Sequence, residues 1–201
     1  YSFNVRLKGD VTVECEALLC AIGRVPNTTG LGLDSAGVEL DANGAVRVDE
    51  YSRSTCPSIY AVGDVTNRVQ LTPVAIREGQ AFAETVFGDT PTKVDYNCIP
   101  SAVFSHPPLA GVGFTEAQAR AQIGPVKIYT ADFRPMKNVL ANRNERALFK
   151  LIVDDADDRI VGAHMIGPDA PEILQVLAVA VKARMRKSQL DECVEIGRAH
   201  V

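Results

Sequence analysis

A glycine followed by a carboxylate stands in the first half of this 201-residue chain, in the stretch IYAVGD at residues 59–64. The apolar residues before it predict a short buried strand that ends on Gly63 and Asp64. Glycine has no Cβ, so a ligand can approach the backbone closely at Gly63. Open α/β sheets bind ligands at the carboxyl ends of their strands. Asp64 could therefore accept hydrogen bonds from two vicinal hydroxyls of a sugar or a sugar-like chain.

A helix start follows Asp64, in the sequence Leu71-Thr72-Pro73. We predict that Thr72 is the N-cap and that Pro73 is the first residue of a helix ending at Phe87. The positive end of this helix would face the ligand of Asp64 and favour an electron-rich or anionic group. The alternative interpretation is an ordinary β-turn-α unit with a solvated aspartate.

This combination of motifs resembles the flavin disulfide reductases, the pyridine nucleotide–disulfide oxidoreductase family. In that family, the Gly-Asp after a Tyr-Ala-Val strand holds the ribityl chain of FAD, and the next helix points at the flavin ring. The resemblance implies that Gly63, Asp64, Leu71 and Thr72 bind FAD.

A second similarity to this family lies near the start of the chain. Two predicted strands, Phe3–Leu7 and Val11–Ala21, lead into the sequence AIGRVPN at residues 21–27. That sequence resembles the exit from the family's nicotinamide-nucleotide domain. The resemblance implies that Arg24 approaches the phosphate-bearing end of NADPH, while a surface salt bridge is the alternative. The sequence contains no G-x-G-x-x-G loop, so it does not decide between NADPH and NADH.

A third similarity covers residues 99–116, IPSAVFSHPPLAGVGFTE. It resembles the opening of the family's dimerisation domain, and its Phe-Ser-His-Pro-Pro form favours the glutathione-reducing branch. Gln70 and Ala102 match positions whose backbone lies beside the bound nicotinamide, although plain loop and strand structure would explain both. Gln80 stands where many members of that branch carry an arginine that contacts the disulfide substrate. We assign Gln80 to substrate binding by this match of position alone.

The resemblance implies an α/β part followed by an α+β part. Residues 1–23 would end the NAD(P)-binding domain, residues 24–96 would form the second part of the FAD-binding domain, and residues 97–194 would form the dimerisation domain. In the last part we predict a capping box at Thr115 and the strands Ser101–Phe104, Leu109–Phe114, Val126–Ala131, Ala147–Val153 and Ile160–Ile166. The helix Pro171–Met185, apolar nearly all round, fits an oligomer interface as well as a core. The resemblance implies a homodimer through this domain.

Residues 195–201, EIGRAHV, depart from the family pattern. The family carries a His-Pro motif and a later glutamate here, which serve as acid and base across the dimer. We interpret these seven residues as a non-native tail, and the chain as a fragment truncated at both ends. His200 is not assigned the role of the base. We assign no catalytic residue and expect the fragment alone to be inactive.

The remaining residues that could do chemistry are assigned structural roles. Cys15 and Cys20 share the C-x4-C spacing of the family's redox pair, but on a strand roughly 17 Å would separate their Cα atoms. A disulfide requires Cα atoms within about 7 Å. His106 and His164 match structural positions of the family. The acidic run at residues 154–158 is a solvated hairpin turn without the pattern of a calcium loop, and we predict no metal site.

Composition excludes several other classes of protein. The chain is 46% apolar and 23% charged, and its net charge of −4 leaves no basic footprint for nucleic acid. No apolar run reaches the length of a membrane span, and no signal peptide is present. The odd number of cysteines argues against a secreted disulfide scaffold. We therefore expect a cytoplasmic protein.

These observations predict part of an FAD-dependent enzyme that reduces glutathione disulfide with NADPH. In this family electrons pass from NADPH through FAD to an active-site disulfide, whose thiolate then attacks the substrate. One alternative is a flavoprotein of the dihydrolipoamide dehydrogenase or mercuric reductase type. The other is a dimerisation module without catalytic activity.

Overall fold

The computed structural model describes residues 2–194 and divides into two compact units, one ending at Val94 and one beginning at Asp95. Every helix in the described part of the chain is too short or too polar to cross a bilayer. The predicted domain boundaries at residues 23, 96 and 194 stay predictions. The predicted tail and His200 lie outside the described residues.

Unit 1 begins with a β-hairpin. Strands β1 (Phe3–Arg6) and β2 (Thr12–Cys15) are antiparallel, with Phe3 opposite Cys15. The second strand is shorter than predicted, because β1 offers partners only as far as Cys15. Beyond it, Leu19 and Ile22 are exposed, so no packing within the unit holds that segment extended.

Residues 28–67 are joined by isolated bridges and side-chain hydrogen bonds. A hairpin turn lies at Asp41, whose carboxylate accepts the N–H groups of Asn43 and Ala45 at 2.8 and 2.9 Å. Residues 46–48 and 59–62 form only single bridges, and a 3-10 helix begins at Gly63, so the predicted strand at residues 59–64 is wrong. Within residues 2–94 only β1 and β2 pair continuously, so neither segment has a neighbour for a full ladder.

Helix α1 (Thr72–Phe87) begins one residue earlier than predicted. Leu71 is the N-cap, and its carbonyl accepts the N–H groups of Val74 and Ala75 at 3.0 and 3.1 Å. The prediction that Thr72 caps the helix is therefore wrong, because Thr72 is already helical and its side chain makes no capping bond. Pro73 in the first turn costs nothing, since its missing N–H has no partner there.

Unit 2 is built on a five-stranded antiparallel sheet in the order β3-β4-β7-β6-β5. The strands are β3 (Ser101–Val103), β4 (Leu109–Gly113), β5 (Val126–Phe133), β6 (Ala147–Asp154) and β7 (Ile160–Ile166). All five predicted strands are confirmed, and β5 continues two residues further than predicted.

The core of unit 2 lies between this sheet and helix α4 (Ala170–Lys182). Leu174 and Val181 of the helix belong to the same buried cluster as Val112 of β4 and Ala163 of β7. Alternate residues of β4 are buried, as expected for a strand that turns one face to a helix. The opposite side of α4 remains exposed.

Three shorter helices surround this core. Helix α2 (Glu116–Gln122) begins with the predicted capping box, in which Thr115 and Gln118 bond each other's backbone N–H groups. Helices α3 (Met136–Leu140) and α5 (Lys187–Asp191) were not predicted, because five residues are too few to show a helical period.

Helix α4 ends three residues before the predicted end. The N–H of Met185 bonds the carbonyl of Ala180 at 2.9 Å, and the N–H of Arg184 bonds the carbonyl of Val181 at 3.0 Å. This is a Schellman motif, which places the residue after the C-cap in the left-handed region. Arg184 occupies that position with a φ of 58°.

Candidate functional site: the Gly63–Asp64 loop

The predicted ligand loop is the 3-10 helix Gly63–Thr66, which lies against α1. Gly63 has a φ of 75°, and a Cβ placed on it would come within 3.1 Å of the Cβ of Ala75. Both the backbone angle and this close approach to the helix require glycine. Asp64 follows it with its side chain 35% exposed. The loop therefore presents a partly accessible carboxylate close to a helix.

Arg24 is brought to the same place by the chain before it. One guanidinium nitrogen of Arg24 lies 2.5 Å from a carboxylate oxygen of Asp64, and the Arg24 side chain is 71% exposed. Sequence reasoning assigned these two residues to different cofactors, but here they form one ion pair. At such exposure the pair is worth at most about 1 kcal/mol, so either side chain can exchange its partner at little cost.

Gln70 joins this cluster. Its amide donates to the side-chain oxygen of Asn67 at 2.9 Å and approaches the carbonyl of Arg24 at 3.4 Å. Four polar side chains, those of Arg24, Asp64, Asn67 and Gln70, thus lie around one end of the loop. Asn67 was not predicted to take part. Its φ of 52° marks it as the residue that ends the 3-10 helix.

A buried acidic residue of α1 bonds the backbone of the loop. Glu78 of α1 is 1% exposed, accepts the N–H of Gly63 at 2.5 Å, and forms an ion pair with Arg68 at 3.1 Å. Sequence reasoning missed both residues. The available signal was the position of Glu78 on the buried face of α1 between Val74 and Ala81, where a carboxylate needs a partner.

Other predicted site residues are placed as follows. Thr72 and Gln80 are exposed on α1, eight residues or roughly 12 Å apart along the helix. Leu71 is partly buried at the start of that helix. Ala102 lies in β3 of unit 2, opposite Ala110, so the structure does not join it to Arg24 and Gln70 in one unit.

The histidines, cysteines and acidic turn have ordinary surroundings. His164 Nε2 lies 2.9 Å from the carbonyl oxygen of Phe114, and its ring packs over Gly111, where a Cβ would be 2.6 Å from Nδ1. All five cysteines, Cys15 and Cys20 among them, are free thiols. In the described part of the chain no three His, Cys, Asp or Glu side chains are grouped as metal ligands would be.

The loop and the helix start suit a ligand that carries both hydroxyls and negative charge. Asp64 can accept hydroxyl protons once Arg24 turns away, and Arg24 can then bind an anionic group. Thr72 and the start of a 16-residue helix lie next along the chain. A dinucleotide with a polyol chain, such as FAD, has both chemical features, and the residues present fit such a group.

The class of protein follows from this fold and from comparison with solved structures. The chain superposes on "HOCl-induced flavoprotein disulfide reductase RclA from Escherichia coli" with a TM-score of 0.87 at 28% sequence identity. The match covers 98% of this chain and 45% of that one. Both parts therefore have the fold of a flavoprotein disulfide reductase, and the predicted fold class is confirmed.

Sequence comparisons identify the family. Residues 2–79 match the model of the pyridine nucleotide-disulphide oxidoreductases, and residues 99–197 match the model of their dimerisation domain. The chain belongs to the pyridine nucleotide–disulfide oxidoreductase family, as the sequence motifs predicted.

Two curated relatives of this chain are reductases with different names. Glutathione reductase from Burkholderia cepacia is 53% identical over 190 residues, which cover 94% of this chain and 42% of that protein. Trypanothione reductase from Trypanosoma congolense is 40% identical over 188 residues, which cover 93% of this chain and 38% of that protein. The chain thus spans less than half the length of these relatives.

Proposed function

We propose that this chain is part of an FAD- and NADPH-dependent enzyme that reduces glutathione disulfide. The observation that carries the proposal is the Gly63–Asp64 loop beside the start of α1, in a chain 53% identical to a glutathione reductase. FAD, when bound, would supply the redox chemistry that links NADPH to a disulfide. The residues of this chain would bind and orient it.

Each predicted residue has a proposed task. Asp64 would accept hydroxyls of the ribityl chain, with Gly63 allowing the turn that presents the carboxylate. Leu71 and Thr72 would direct the first turn of α1 towards the flavin. Arg24 would exchange Asp64 for a phosphate of NADPH. Gln70 and Ala102 would approach the nicotinamide with their backbones.

The choice of substrate rests on the comparison of relatives and on Gln80. A trypanothione reductase is 40% identical to this chain, so a second thiol-disulfide class competes with glutathione. Gln80 is uncharged where a cation would attract a peptide carboxylate, and its exposed position on α1 is compatible with contact to a substrate. We propose glutathione disulfide because the higher identity favours it.

We also propose a homodimer through unit 2 and a cytoplasmic location. The match of residues 99–197 to a dimerisation domain supports the dimer. The 201 residues alone should not reduce disulfides, because none of their cysteines is assigned to the redox pair of the family. Dihydrolipoamide and mercuric reduction, and a dimerisation module without catalysis, remain the alternatives to be tested.

A chimeric enzyme tests this function. Residues 2–194 would replace the segment that they match in Burkholderia cepacia glutathione reductase, which supplies the rest of the fold. We expect the chimera to retain yellow flavin and to oxidise NADPH with glutathione disulfide faster than with trypanothione disulfide, lipoamide or mercuric ion. Retained flavin without activity towards any disulfide would contradict the proposed substrate, and loss of flavin would contradict the proposed cofactor.

Variants of the chimera test the role of Asp64. Asp64→Ala should lower the affinity for FAD at least tenfold, because the ribityl hydroxyls lose their acceptor. Asp34→Ala, an exposed aspartate elsewhere in unit 1, is the matched control and should bind FAD normally. Reconstitution of the apoprotein, followed by flavin fluorescence, measures both. Equal affinity of the two variants would contradict the assignment.

A further inference from the structure

Both backbone groups of Gly63 are held by side chains. Its N–H donates to Oε2 of Glu78 at 2.5 Å, and its carbonyl accepts the hydroxyl proton of Thr66 at 2.8 Å. Gly63 and Thr66 are buried, as is Glu78. The peptide planes on either side of Gly63 are therefore fixed, and the position of Asp64 follows from them.

Arg68 links these contacts into one network. It pairs with Oε1 of Glu78 at 3.1 Å, donates through Nε to the hydroxyl of Thr66 at 3.3 Å, and donates through Nη2 to the hydroxyl of Ser52 at 2.9 Å. Its side chain is 23% exposed. One guanidinium thus contacts the second carboxylate oxygen of Glu78, the end of the 3-10 helix and the turn at Ser52.

The network connects the two pieces of structure that the proposed flavin would touch. Glu78 belongs to α1, whereas Gly63 and Asp64 belong to the loop. The bond from the Gly63 N–H to Glu78 sets the distance between the loop and the helix. Without it, the loop could move relative to the helix start, and Asp64 and Thr72 would no longer meet one ligand together.

We propose that Glu78 and Arg68 are positioning residues that hold Asp64 and the start of α1 in the geometry required for flavin binding. The inference rests on the proposed function for its ligand, but the link between Glu78 and Gly63 can be tested without one. A buried ion pair often adds little stability over apolar residues of equal size, whereas removing one partner leaves a buried charge. An apolar pair could supply the same stability, but it could not bond the Gly63 N–H and so would not orient the loop.

The link itself is tested in the 201-residue chain by hydrogen exchange at the Gly63 amide. The double variant E78M/R68M removes both charges together and keeps similar volume, so that neither charge is left buried alone. We expect the Gly63 amide to exchange at least tenfold faster in the double variant, while amides of the unit 2 sheet exchange as before. An unchanged rate at Gly63 would overturn the proposal.

Flavin binding is tested in the chimera described above. E78M/R68M should lower the affinity for FAD at least tenfold and shift the flavin absorbance bands, with the melting temperature of the apoprotein close to that of the parent. Glu78→Gln should lie between parent and double variant, because an amide oxygen can still accept the Gly63 N–H. Glu84→Gln, at a partly exposed residue of α1 that pairs with Arg77 and not with the loop, is the matched control.

The outcomes separate this proposal from the proposed function. Fast exchange at Gly63 with unchanged FAD affinity and spectrum would make the network structural only and overturn the positioning role. If Asp64→Ala also left FAD affinity unchanged, the assignment of the flavin site would fail as well. If Asp64→Ala lost flavin and E78M/R68M kept it, only the positioning role would fail.

Discussion

Two carboxylates of unit 1 show how burial decides what a residue can do. Asp64 is paired with an exposed arginine, so solvent screens the pair and the carboxylate can exchange Arg24 for ligand hydroxyls. Glu78 is 1% exposed and cannot lose its partners without leaving a charge buried. The first is suited to binding, and the second to holding a backbone in place.

Arg184, the residue after the C-cap of α4, has an unfavourable backbone conformation. It has a φ of 58°, where a Cβ is strained and glycine is not. Arg184→Gly should raise the free energy of unfolding of unit 2 by about 0.5–1 kcal/mol, because the Schellman motif favours glycine there. Ala183→Gly, at a φ of −74°, is the control and should not be stabilising. Urea unfolding measures both, and equal effects would contradict the explanation.

At the scale of elements, helix α5 is held to the sheet by the turn before β7. The carboxylate of Asp158 accepts the N–H of Ser188 at 2.9 Å, and the Asp158 carbonyl accepts the N–H of Lys187 at 2.8 Å. Lys187 also lies 4.5 Å from the centre of the Tyr129 ring on β5. A helix of five residues would not be stable alone, so these contacts explain its presence.

The turn at Asp158 should make the docking of α5 depend on pH. Hydrogen bonds from the Ser188 backbone and hydroxyl lower the pKa of Asp158 below its usual value of about 3.9. A lowered pKa in the folded state means stability that is present above about pH 4 and lost as the pH falls through the folded pKa. We expect the free energy of unfolding to fall between about pH 5 and pH 3.

Asp158→Asn isolates this contribution. Asparagine also tolerates the φ of 65° at this position and can accept the same N–H, but it does not titrate. Urea unfolding at several pH values should give a smaller loss of stability on acidification for the variant than for the parent chain. The variant should keep part of the pH dependence of stability, because other paired carboxylates such as Glu116 also have a lowered pKa. Identical pH profiles for variant and parent would show that Asp158 does not contribute.

At the scale of the whole molecule, the exposed side of α4 is the clearest candidate for an interface. Val176 and Val179 are 72% and 65% exposed, one helical turn apart, whereas Leu174 on the other side is buried. Helix α4 carries apolar residues on both sides, which is unusual for a helix that meets water. The match to a dimerisation domain supports a second copy as the partner.

Val176→Asp tests this interface. A carboxylate there would be buried against the second copy without a partner, so the dissociation constant of the dimer should rise at least tenfold. Ala121→Asp adds the same charge at an exposed position of α2 and should leave the dimer intact. Sedimentation equilibrium across a range of concentrations measures both variants, with circular dichroism as the control for folding. Equal self-association of the two would place the interface elsewhere.

Short-range patterns determined most of unit 2. The strands β6 and β7 could be predicted because each is a run of mainly apolar residues on either side of a turn, and the capping box at Thr115 because its hydrogen bonds join residues three positions apart. Helices α3 and α5 could not, since their stability comes from contacts with distant residues. The positive φ of Arg184 could not be predicted either, because arginine has no preference for the left-handed region.

At the candidate site, the motif, the family and Asp64 as a ligand candidate could all be predicted from the sequence. These depend on residue types and on spacing along the chain. Three contacts became visible only in the folded chain: Arg24 pairs with Asp64 across 40 positions, Leu71 caps α1, and Glu78 accepts the N–H of Gly63. Partners in a network are chosen by distance in space and by burial, and neither quantity is encoded in local spacing.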